Sequence, residues 1–335
     1  MDSLVLGIES SCDETAVAVV KNATQVLANE VSSQIETHRR FGGVVPEVAS
    51  RQHLESLPFL VEEAFRKAHV KYEDLTGIAV TAAPGLIGAL LVGLSAAKGL
   101  AFRLNLPLAA VHHIEAHLYA AQLDTEPIAF PALGLVVSGG HTEIYHIENW
   151  GKYKLLASTR DDAAGEAYDK VAKLMGLGYP GGPMIEKLAQ SFSDSKEHFS
   201  RARMTDGTQD FSFSGVKTAV SLELQRKPVL DEKDQQRLAA KFQNTILIEI
   251  QSRVQNALGQ ESYQSLIVGG GVACNQALRN TLRRTADSFG IAFRVPPPKY
   301  CSDNAAMIAG LGAYQLSQGK RADLSTTAIP RVAFY

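Results

Sequence analysis

The chain contains one local pattern twice: a strand, a short polar turn and a second strand. The first copy has its strands at Leu4–Glu9 and Ala16–Val20, and the second copy has them at Leu133–Val137 and Thr142–His146. Apolar runs bounded by polar turns are typical of paired strands. Because a whole unit recurs in the same order, the pattern predicts an internal duplication.

Each copy is followed by another apolar strand that leads through glycine into a helix. In the first half, Ile78–Thr81 leads through Pro84 and Gly85, and in the second half Leu266–Val268 leads through Gly269–Gly271. In α/β folds such glycine-rich exits line ligand crevices at the carboxyl ends of strands. The sequence therefore predicts an α/β protein with two similar lobes and a ligand cleft between them.

The length of 335 residues suits two domains, each with its own core. We expect an N-terminal lobe over residues 1–111 and 304–335, because the last apolar helix is expected to pack back on the first lobe. The C-terminal lobe is expected over 112–303. A composition of 45% hydrophobic and 20% charged residues excludes a disordered or fibrous chain.

The net charge of −2 excludes a protein coated in positive charge. Contact with nucleic acid then has to come from a local patch, such as residues 38–40 with Arg51, or Lys170 with Lys173. Solvated surface charge is the favoured interpretation of each cluster taken alone.

The cysteines and the apolar runs bear on the compartment. Three cysteines, Cys12, Cys274 and Cys301, are odd in number and far apart, which indicates a reducing compartment and not a disulfide framework. No leader pattern precedes the first strand. The longest apolar run, 85–97, falls short of the roughly 18 residues that a membrane span needs. We therefore expect a cytoplasmic protein.

Two glycine-rich turns are candidate phosphate sites. Ser138–Gly140 and Gly269–Gly271 place glycine where free backbone N–H groups can form an anion nest. Either turn alone also fits a tight hairpin. Two such turns in equivalent places of a duplicated fold favour a nucleotide site.

The first turn is acidic instead. Asp13 and Glu14 stand where the other turns have glycine, and two adjacent carboxylates repel phosphate unless a cation or a proton is present. This arrangement favours general-base or positioning work beside a nucleotide, with a solvated turn as the alternative.

A histidine pair indicates a metal site. Leu108–Val111 is predicted as a strand and His112 begins a helix, so that His113 and His117, four residues apart, project from one helical face. A zinc-protease motif is excluded because it needs glutamate directly after the first histidine. Glu115 lies about 200° around the helix from His113 and cannot act as a base there.

A third ligand has to come from elsewhere in the chain, and Asp303, at the start of the last helix, qualifies. Two imidazoles and one carboxylate leave coordination positions open, which suits substrate binding by Fe(II) or Zn(II). Asp303 could instead be a plain helix N-cap. We place this predicted metal site at the junction of the two lobes.

At these residues the sequence resembles the bacterial TsaD family of tRNA N6-adenosine threonylcarbamoyltransferases, formerly described as O-sialoglycoprotein endopeptidases. The resemblance spans almost the whole chain. The matching motifs are Gly7–Thr15, Phe41–Glu47, Pro84–Leu86, His112–His117, Val137–Thr142, Asp161–Lys170, Tyr179–Pro183, Phe211–Gly215, Gly270–Asn275 and Cys301–Asn304. Ser302 stands where threonine is usual, and Cys274 stands beside the asparagine.

The resemblance implies a fold and a reaction. The fold is the superfold of actin-like ATPases, sugar kinases and Hsp70 (ASKHA), with two duplicated ribonuclease-H-like lobes. The donor is L-threonylcarbamoyl-adenylate, and the acceptor is the N6 amine of the adenosine just 3′ of the anticodon in tRNAs that read codons beginning with A. The products are N6-threonylcarbamoyladenosine and AMP.

The resemblance also implies site residues. The metal ligands are His113, His117 and Asp303, which hold Fe²⁺ or Zn²⁺, and Mg²⁺ accompanying the nucleotide is a further candidate. The implied adenylate contacts are Val136, Val137, Ser138, Gly139, Gly140, Asp169, Gly182, Glu186 and Asn275. Asp169 and Glu186 are expected to accept hydrogen bonds from ribose hydroxyls, although Glu186 stands where the family often has aspartate.

The proton lost by the N6 amine needs an acceptor. We expect Asp13 or Glu14 to take it, with His141 at the second turn as the competitor. The implied partners are tRNA, the catalytically inert paralogue TsaB as a heterodimer partner, and the small ATPase TsaE. An apolar helix over 85–100 is the candidate dimerisation face, and a plain core helix is the alternative.

Three other functions compete with this one. A small-molecule kinase of the same superfold would need neither the acidic turn nor the histidine pair. A metalloprotease lacks its base beside His113. A non-catalytic scaffold of a tRNA-modifying complex would be expected to have lost the three metal ligands and the acidic turn, and this chain keeps both.

Overall fold

The structure is a computed structural model, and it describes residues 2–192, 196–201, 206–227 and 229–333. Ten strands and ten α-helices follow in chain order. They are β1 (Leu4–Glu9), β2 (Glu14–Lys21), β3 (Gln25–Ser33), α1 (Ile35–Arg39), α2 (Pro46–Ala68), β4 (Gly77–Ala83), α3 (Ile87–Leu104), β5 (Leu108–His112), α4 (His113–Tyr119), β6 (Ala132–Val137), β7 (Thr142–Asn149), β8 (Lys152–Ser158), α5 (Ala164–Leu174), α6 (Gly181–Gln190), α7 (Ser214–Arg226), α8 (Glu232–Leu258), β9 (Ser265–Gly269), α9 (Gln276–Ser288), β10 (Ala292–Arg294) and α10 (Ala305–Ser317), counted over the described ranges.

The two sheets have the same topology, which confirms the predicted α/β duplication. The first sheet has the order β3-β2-β1-β4-β5, and the second, written from its other edge, has the order β8-β7-β6-β9-β10. In each sheet three strands form an antiparallel meander, and two parallel strands extend it from the first strand of the meander. The strands predicted as equivalent, β1 with β6 and β4 with β9, occupy equivalent positions.

The chain divides into two compact units. The first comprises Met1–Pro127 and Pro296–Phe334, and the second comprises Ile128–Val295. The division thus falls at 127/128 and 295/296, whereas the sequence suggested 111/112 and 303/304. Helix α4 stays with the first unit because it follows the edge strand β5 directly and packs against α10.

Helices cover both faces of the first sheet. Side chains alternate along β1, so Gly7 and Ile8 face opposite sides. Gly7 lies against α10, where an added Cβ would be 2.5 Å from the Ala305 carbonyl oxygen, and Ile8 lies against Gly93 of α3. Since α10 is buried from Ala305 to Ala313, it is the central helix of this unit.

Helix α3 has one buried and one exposed side. In the part of the chain that the structure describes, it is the one helix long and apolar enough to cross a membrane by length and composition alone, because it extends past Lys98 to Leu104. Its buried side contacts the first sheet: Ser10 Oγ donates to the Ala89 carbonyl at 2.9 Å. Ile87, Leu91 and Phe102 are exposed.

Candidate metal centre and nucleotide turns

Three side chains of the first unit converge on one point. His113 and His117 lie one turn apart on α4, and Asp303 lies just before α10. His117 Nε2 is 3.1 Å from His113 Nε2 and 3.1 Å from Asp303 Oδ1, and His113 Nε2 is 3.4 Å from the same oxygen. Both histidines are buried. The predicted ligand set is therefore brought together.

The spacing of these three atoms fits a metal ion. Metal–ligand bonds of ~2.1 Å in tetrahedral or octahedral geometry separate neighbouring ligand atoms by ~3.0–3.4 Å. The cap of α10 is Asn304, whose side chain accepts from Met307 N at 3.1 Å. The capping interpretation of Asp303 is therefore wrong, and its carboxylate faces the histidines instead.

Without a metal ion these groups stabilise a proton on His113. Burial opposes the charged imidazole, but the carboxylates of Asp303 and Glu9 outweigh burial and raise the pKa of His113 well above its usual value. Burial and the charge on His113 lower the pKa of His117. Burial likewise works against the ionised Asp303, yet His113 and His117 hold the pKa of that carboxyl well below its ordinary value. These side chains thus stabilise an added positive charge, and a bound cation would supply such a charge in place of the proton.

The acidic turn lies within electrostatic reach of the same centre. Burial, followed by the charges of Asp303 and Asp13, raises the pKa of Glu14 to about 9. Ser33 Oγ donates to Glu14 Oε1 at 3.1 Å, and Gln34 N donates to the Asp13 carbonyl oxygen at 3.0 Å. The predicted acids and the predicted metal ligands therefore belong to one site of the first unit.

Sequence reasoning missed Glu9 as a site residue. It is the last residue of β1 and has no exposed surface. Its Oε2 lies 3.0 Å from His113 Nδ1 and accepts from Thr81 Oγ1 at 2.6 Å. The available signal was a carboxylate ending an otherwise apolar strand directly before a candidate site.

The glycine-rich turns of the second unit lie side by side. Ser138–Gly140 connects β6 to β7, and Gly270 follows β9, the parallel neighbour of β6. Gly270 has φ +93°, and an added Cβ would lie 2.4 Å from the Val137 carbonyl oxygen. Gly165 at the start of α5 donates its N–H to the Ser138 carbonyl at 3.1 Å. Two glycine-rich turns and the start of α5 are thus gathered at the carboxyl ends of parallel strands.

The other predicted adenylate contacts lie on helices of this unit or just before them: Asp169 in α5, Gly182 and Glu186 in α6, and Asn275 directly before α9. Asp169 Oδ1 accepts from Gly181 N at 2.7 Å, and Glu186 Oε1 accepts from Gln276 N at 2.7 Å. Asn275 Oδ1 caps α9 through Leu278 N at 2.9 Å. An added Cβ on Gly182 would meet nothing within 4 Å, so the backbone there is open to a ligand. These contacts position the residues, and their ligand roles stay predictions.

His141 lies in the second unit, at the end of the turn. Its N–H donates to Ser138 Oγ at 3.1 Å, and its carbonyl oxygen accepts from Ser138 N at 2.8 Å. These bonds close the turn through the backbone. Its role as a proton acceptor also stays a prediction.

Part of each basic cluster suggested by the sequence is offset by neighbouring groups. His38 is fully buried and lies 3.0 Å from Gln34 Oε1 through Nε2, and Arg39 pairs with Glu36 at 2.8 Å. Lys170 pairs with Asp162 at 2.5 Å and with Glu166 at 2.9 Å. Contact of either cluster with nucleic acid stays a prediction.

Comparison with known proteins gives one consistent result. The family model described as TsaD, tRNA N6-adenosine threonylcarbamoyltransferase, matches residues 25–310. A protein of that name from Geobacillus thermodenitrificans is 50% identical over 331 residues, covering 98% of this chain and 96% of the relative. Its counterpart from Bacillus subtilis is 49% identical over 325 residues, covering 96% of this chain and 92% of the relative.

A solved structure shares the fold at low sequence identity. Full-length HypF, crystallised in a phosphate- and nucleotide-bound form, aligns with a TM-score of 0.61 at 13% identity, covering 94% of this chain and 46% of that one. The likeness concerns the fold alone, the duplicated α/β arrangement of the ASKHA class.

Proposed function

The chain belongs to the TsaD family of tRNA N6-adenosine threonylcarbamoyltransferases, and from that membership we propose how its residues carry out the transfer. It is an acyltransferase that modifies the N6 amine of an adenosine in tRNA. The names of the relatives correspond to this transfer and not to phosphorylation, so the kinase alternative has no support. The observation that carries the site assignment is the convergence of His113, His117 and Asp303.

The reaction replaces a carbon–oxygen bond with a carbon–nitrogen bond. The N6 amine attacks the carbamoyl carbonyl carbon of L-threonylcarbamoyl-adenylate, the bond from that carbon to the phosphate oxygen breaks, and AMP leaves. The amine loses one proton in the process. Because N6 is a poor nucleophile, orientation and removal of its proton are the protein's main contributions.

His113, His117 and Asp303 would hold one divalent ion, Fe²⁺ or Zn²⁺. Such an ion supplies Lewis-acid polarisation of the transferred carbonyl and a fixed position for it. The ligand set fits because both imidazoles offer Nε2 and the carboxylate offers Oδ1 at ligand spacing. A set of three ligands leaves room for substrate atoms.

Asp13 or Glu14 is the proposed acceptor of the N6 proton. A carboxyl can accept a proton only when it is ionised, and the pKa of Glu14, about 9, keeps it protonated at neutral pH. The charge of Asp303 is one cause of that shift, so a cation bound to Asp303 weakens it. A bound cation therefore brings Glu14 closer to the ionised form that accepts a proton, and Asp13 and Glu14 both remain proposed acceptors, with His141 as the competitor.

The second unit is proposed to hold the adenylate. The N–H groups of Gly139 and Gly140 suit the phosphate, the oxygens of Asp169 and Glu186 suit ribose hydroxyls, and Gly182 gives the base access to the backbone. Mg²⁺ could accompany the phosphate. The fit to an anion rests on backbone donors, because Gly139 and Gly140 offer no side chain.

An exposed apolar stripe on α3 suits the partner TsaB. Ile87 and Leu91 are each 47% exposed, and Phe102 is 76% exposed. At helical spacing these three side chains share one side of α3, and an exposed apolar stripe of this kind is typical of an interface. The second partner, TsaE, is proposed from the family resemblance, and a cytoplasmic location follows from the tRNA substrate.

The test is transfer of labelled threonine from synthetic threonylcarbamoyl-adenylate to unmodified tRNA, with TsaB and TsaE present. Wild type should label the tRNA, and His113→Ala should reduce the rate at least ~100-fold. The matched control is His146→Ala, which removes a histidine that pairs with Glu261 at 2.8 Å in the second unit. It should retain activity.

Absence of label with wild type, under conditions where a B. subtilis relative succeeds, would overturn the transferase assignment. Label with wild type and an unchanged rate in His113→Ala would leave the reaction standing and remove the metal centre from it.

A further inference from the structure

Glu9 reaches three separate elements of the first unit. Its Oε1 accepts from Ser11 N at 2.5 Å in the acidic turn, and its Oε2 accepts from Thr81 Oγ1 at 2.6 Å on β4. The same Oε2 lies 3.0 Å from Nδ1 of His113 at the start of α4, and Ser11 Oγ lies 3.3 Å from that nitrogen. Every contact uses the carboxylate as an acceptor.

The charges of Glu9 and Asp303 match that of one divalent cation. Glu9 and Asp303 supply two negative charges, and their ion-pair partners within the described ranges are His113 and His117, with no lysine or arginine. Neutral imidazoles are the form that binds metal. One divalent ion then offsets the two carboxylates, although only Asp303 offers its oxygen at ligand distance. Glu9 instead places its negative charge next to Nδ1 of His113, the ring nitrogen that does not face the metal position.

The position of Glu9 also determines which His113 nitrogen is free. A carboxylate only accepts hydrogen bonds, so Nδ1 must carry the proton that it donates to Glu9. The lone pair then lies on Nε2, the atom that points at His117 and Asp303. Carboxylates in this place orient metal-bound imidazoles and increase their basicity.

We propose that Glu9 is a positioning residue of the metal centre, which holds His113 in the tautomer and orientation that bind the ion and completes the charge balance of the site. This inference rests on the proposed metal site, but its test is metal binding and does not require the transfer reaction. The alternative is that Glu9 only links β1, β4 and α4.

The decisive variant is Glu9→Gln, which keeps the size of the side chain. Ser11 N requires an oxygen at the Oε1 position, so the amide nitrogen takes the Oε2 position and becomes a donor toward His113 Nδ1. His113 must then accept at Nδ1 and carry its proton on Nε2, where the ion would bind. The matched control, Thr81→Val, removes the hydroxyl bond to the same oxygen and leaves the contact between Glu9 and His113 in place.

The measurement is competitive titration of Zn²⁺ and Co²⁺ against a chromogenic chelator, together with the visible spectrum of the Co²⁺ form and the thermal midpoint of the metal-free protein. Glu9→Gln is expected to weaken metal binding roughly 10–100-fold and to change the Co²⁺ spectrum. Thr81→Val is expected to bind metal within about threefold of wild type, because it removes one hydrogen bond to Glu9 and leaves the carboxylate in contact with His113.

Equal metal affinity in Glu9→Gln and wild type, with only the thermal midpoint lowered, would overturn the proposal and leave Glu9 a structural link. If Glu9→Gln does not fold, Glu9→Asp carries the test, because it keeps the charge and withdraws the oxygens from His113 by one methylene. Weaker metal binding is again expected, and unchanged binding again overturns the proposal.

Discussion

Histidines outside the metal centre fix the backbone around it. His53 of α2 lies 2.7 Å from Thr15 Oγ1 through Nδ1 and 3.0 Å from the Cys12 carbonyl through Nε2. His112, next to the first metal ligand, donates from Nε2 to the Val332 carbonyl at 2.8 Å. Burial lowers the pKa of both imidazoles, so both act as neutral hydrogen-bonding groups.

The His112 imidazole makes stability depend on pH. Burial lowers its pKa from 6.5 to about 4. Between these values the unfolded chain binds a proton that the folded chain does not, so the free energy of unfolding falls as the pH drops through that window. The expected loss is on the order of 2–3 kcal/mol. His112→Gln retains a donor for Val332 and does not titrate. In urea unfolding between pH 7 and pH 4, the free energy of unfolding of wild type should fall by this amount more than that of His112→Gln. An equal loss of unfolding free energy in wild type and His112→Gln would contradict this role of His112.

At the scale of elements, α10 and the first sheet are in backbone contact. An added Cβ on Gly7 of β1 would lie 2.5 Å from the Ala305 carbonyl oxygen and 2.7 Å from Ala309 N. An added Cβ on Gly312 of α10 would lie 2.2 Å from Ala79 Cβ on β4. Small residues on both elements therefore let the helix approach the sheet, and this approach carries Asp303 to α4.

A pair of alanine variants tests this close contact. Gly7→Ala should lower the free energy of unfolding by about 1–3 kcal/mol or more, because the backbone of α10 cannot give way without moving the helix. At Gly99, on the exposed side of α3, an added Cβ meets nothing within 4 Å. Gly99→Ala should therefore raise the free energy of unfolding by about 0.5–1 kcal/mol. Denaturant unfolding of both measures the difference, and a neutral Gly7→Ala would contradict the packing.

Much of this arrangement could be predicted from local sequence. The strands β1 and β9 follow from short apolar runs with polar ends, and His113 with His117 follows from helical spacing. Glu9 could not be found in this way, because its partners Thr81 and His113 are 72 and 104 residues away. The cap at Asn304 instead of Asp303 is likewise decided by tertiary contacts, since both residue types cap helices equally well.

At the scale of the whole molecule, the two units differ in how the chain builds them. The second unit is one continuous segment, Ile128–Val295, with its own sheet, whereas the first needs two segments that are far apart in sequence. The sequence placed the first unit boundary before α4, whereas the structure places it after α4, because α4 packs against α10.

This difference predicts the behaviour of a fragment. Residues 128–295 alone should unfold cooperatively and bind AMP, because the segment has its own core and both glycine-rich turns. They should not bind Zn²⁺ at the proposed centre, because all three ligands lie in the first unit. Circular dichroism melting with titrations of AMP and Zn²⁺ provides the measurement. A fragment without a cooperative transition would contradict the independence of this unit.

The position of α10 in the chain has a consequence for biosynthesis. The central helix of the first unit follows the whole second unit in the chain, so a nascent chain has β1–β5 long before it has the helix that covers them. Asp303 emerges just ahead of that helix. The first unit thus cannot complete its core, or bring all three proposed metal ligands together, until the chain has been made beyond α10, and an enzyme truncated before residue 303 lacks one of those ligands.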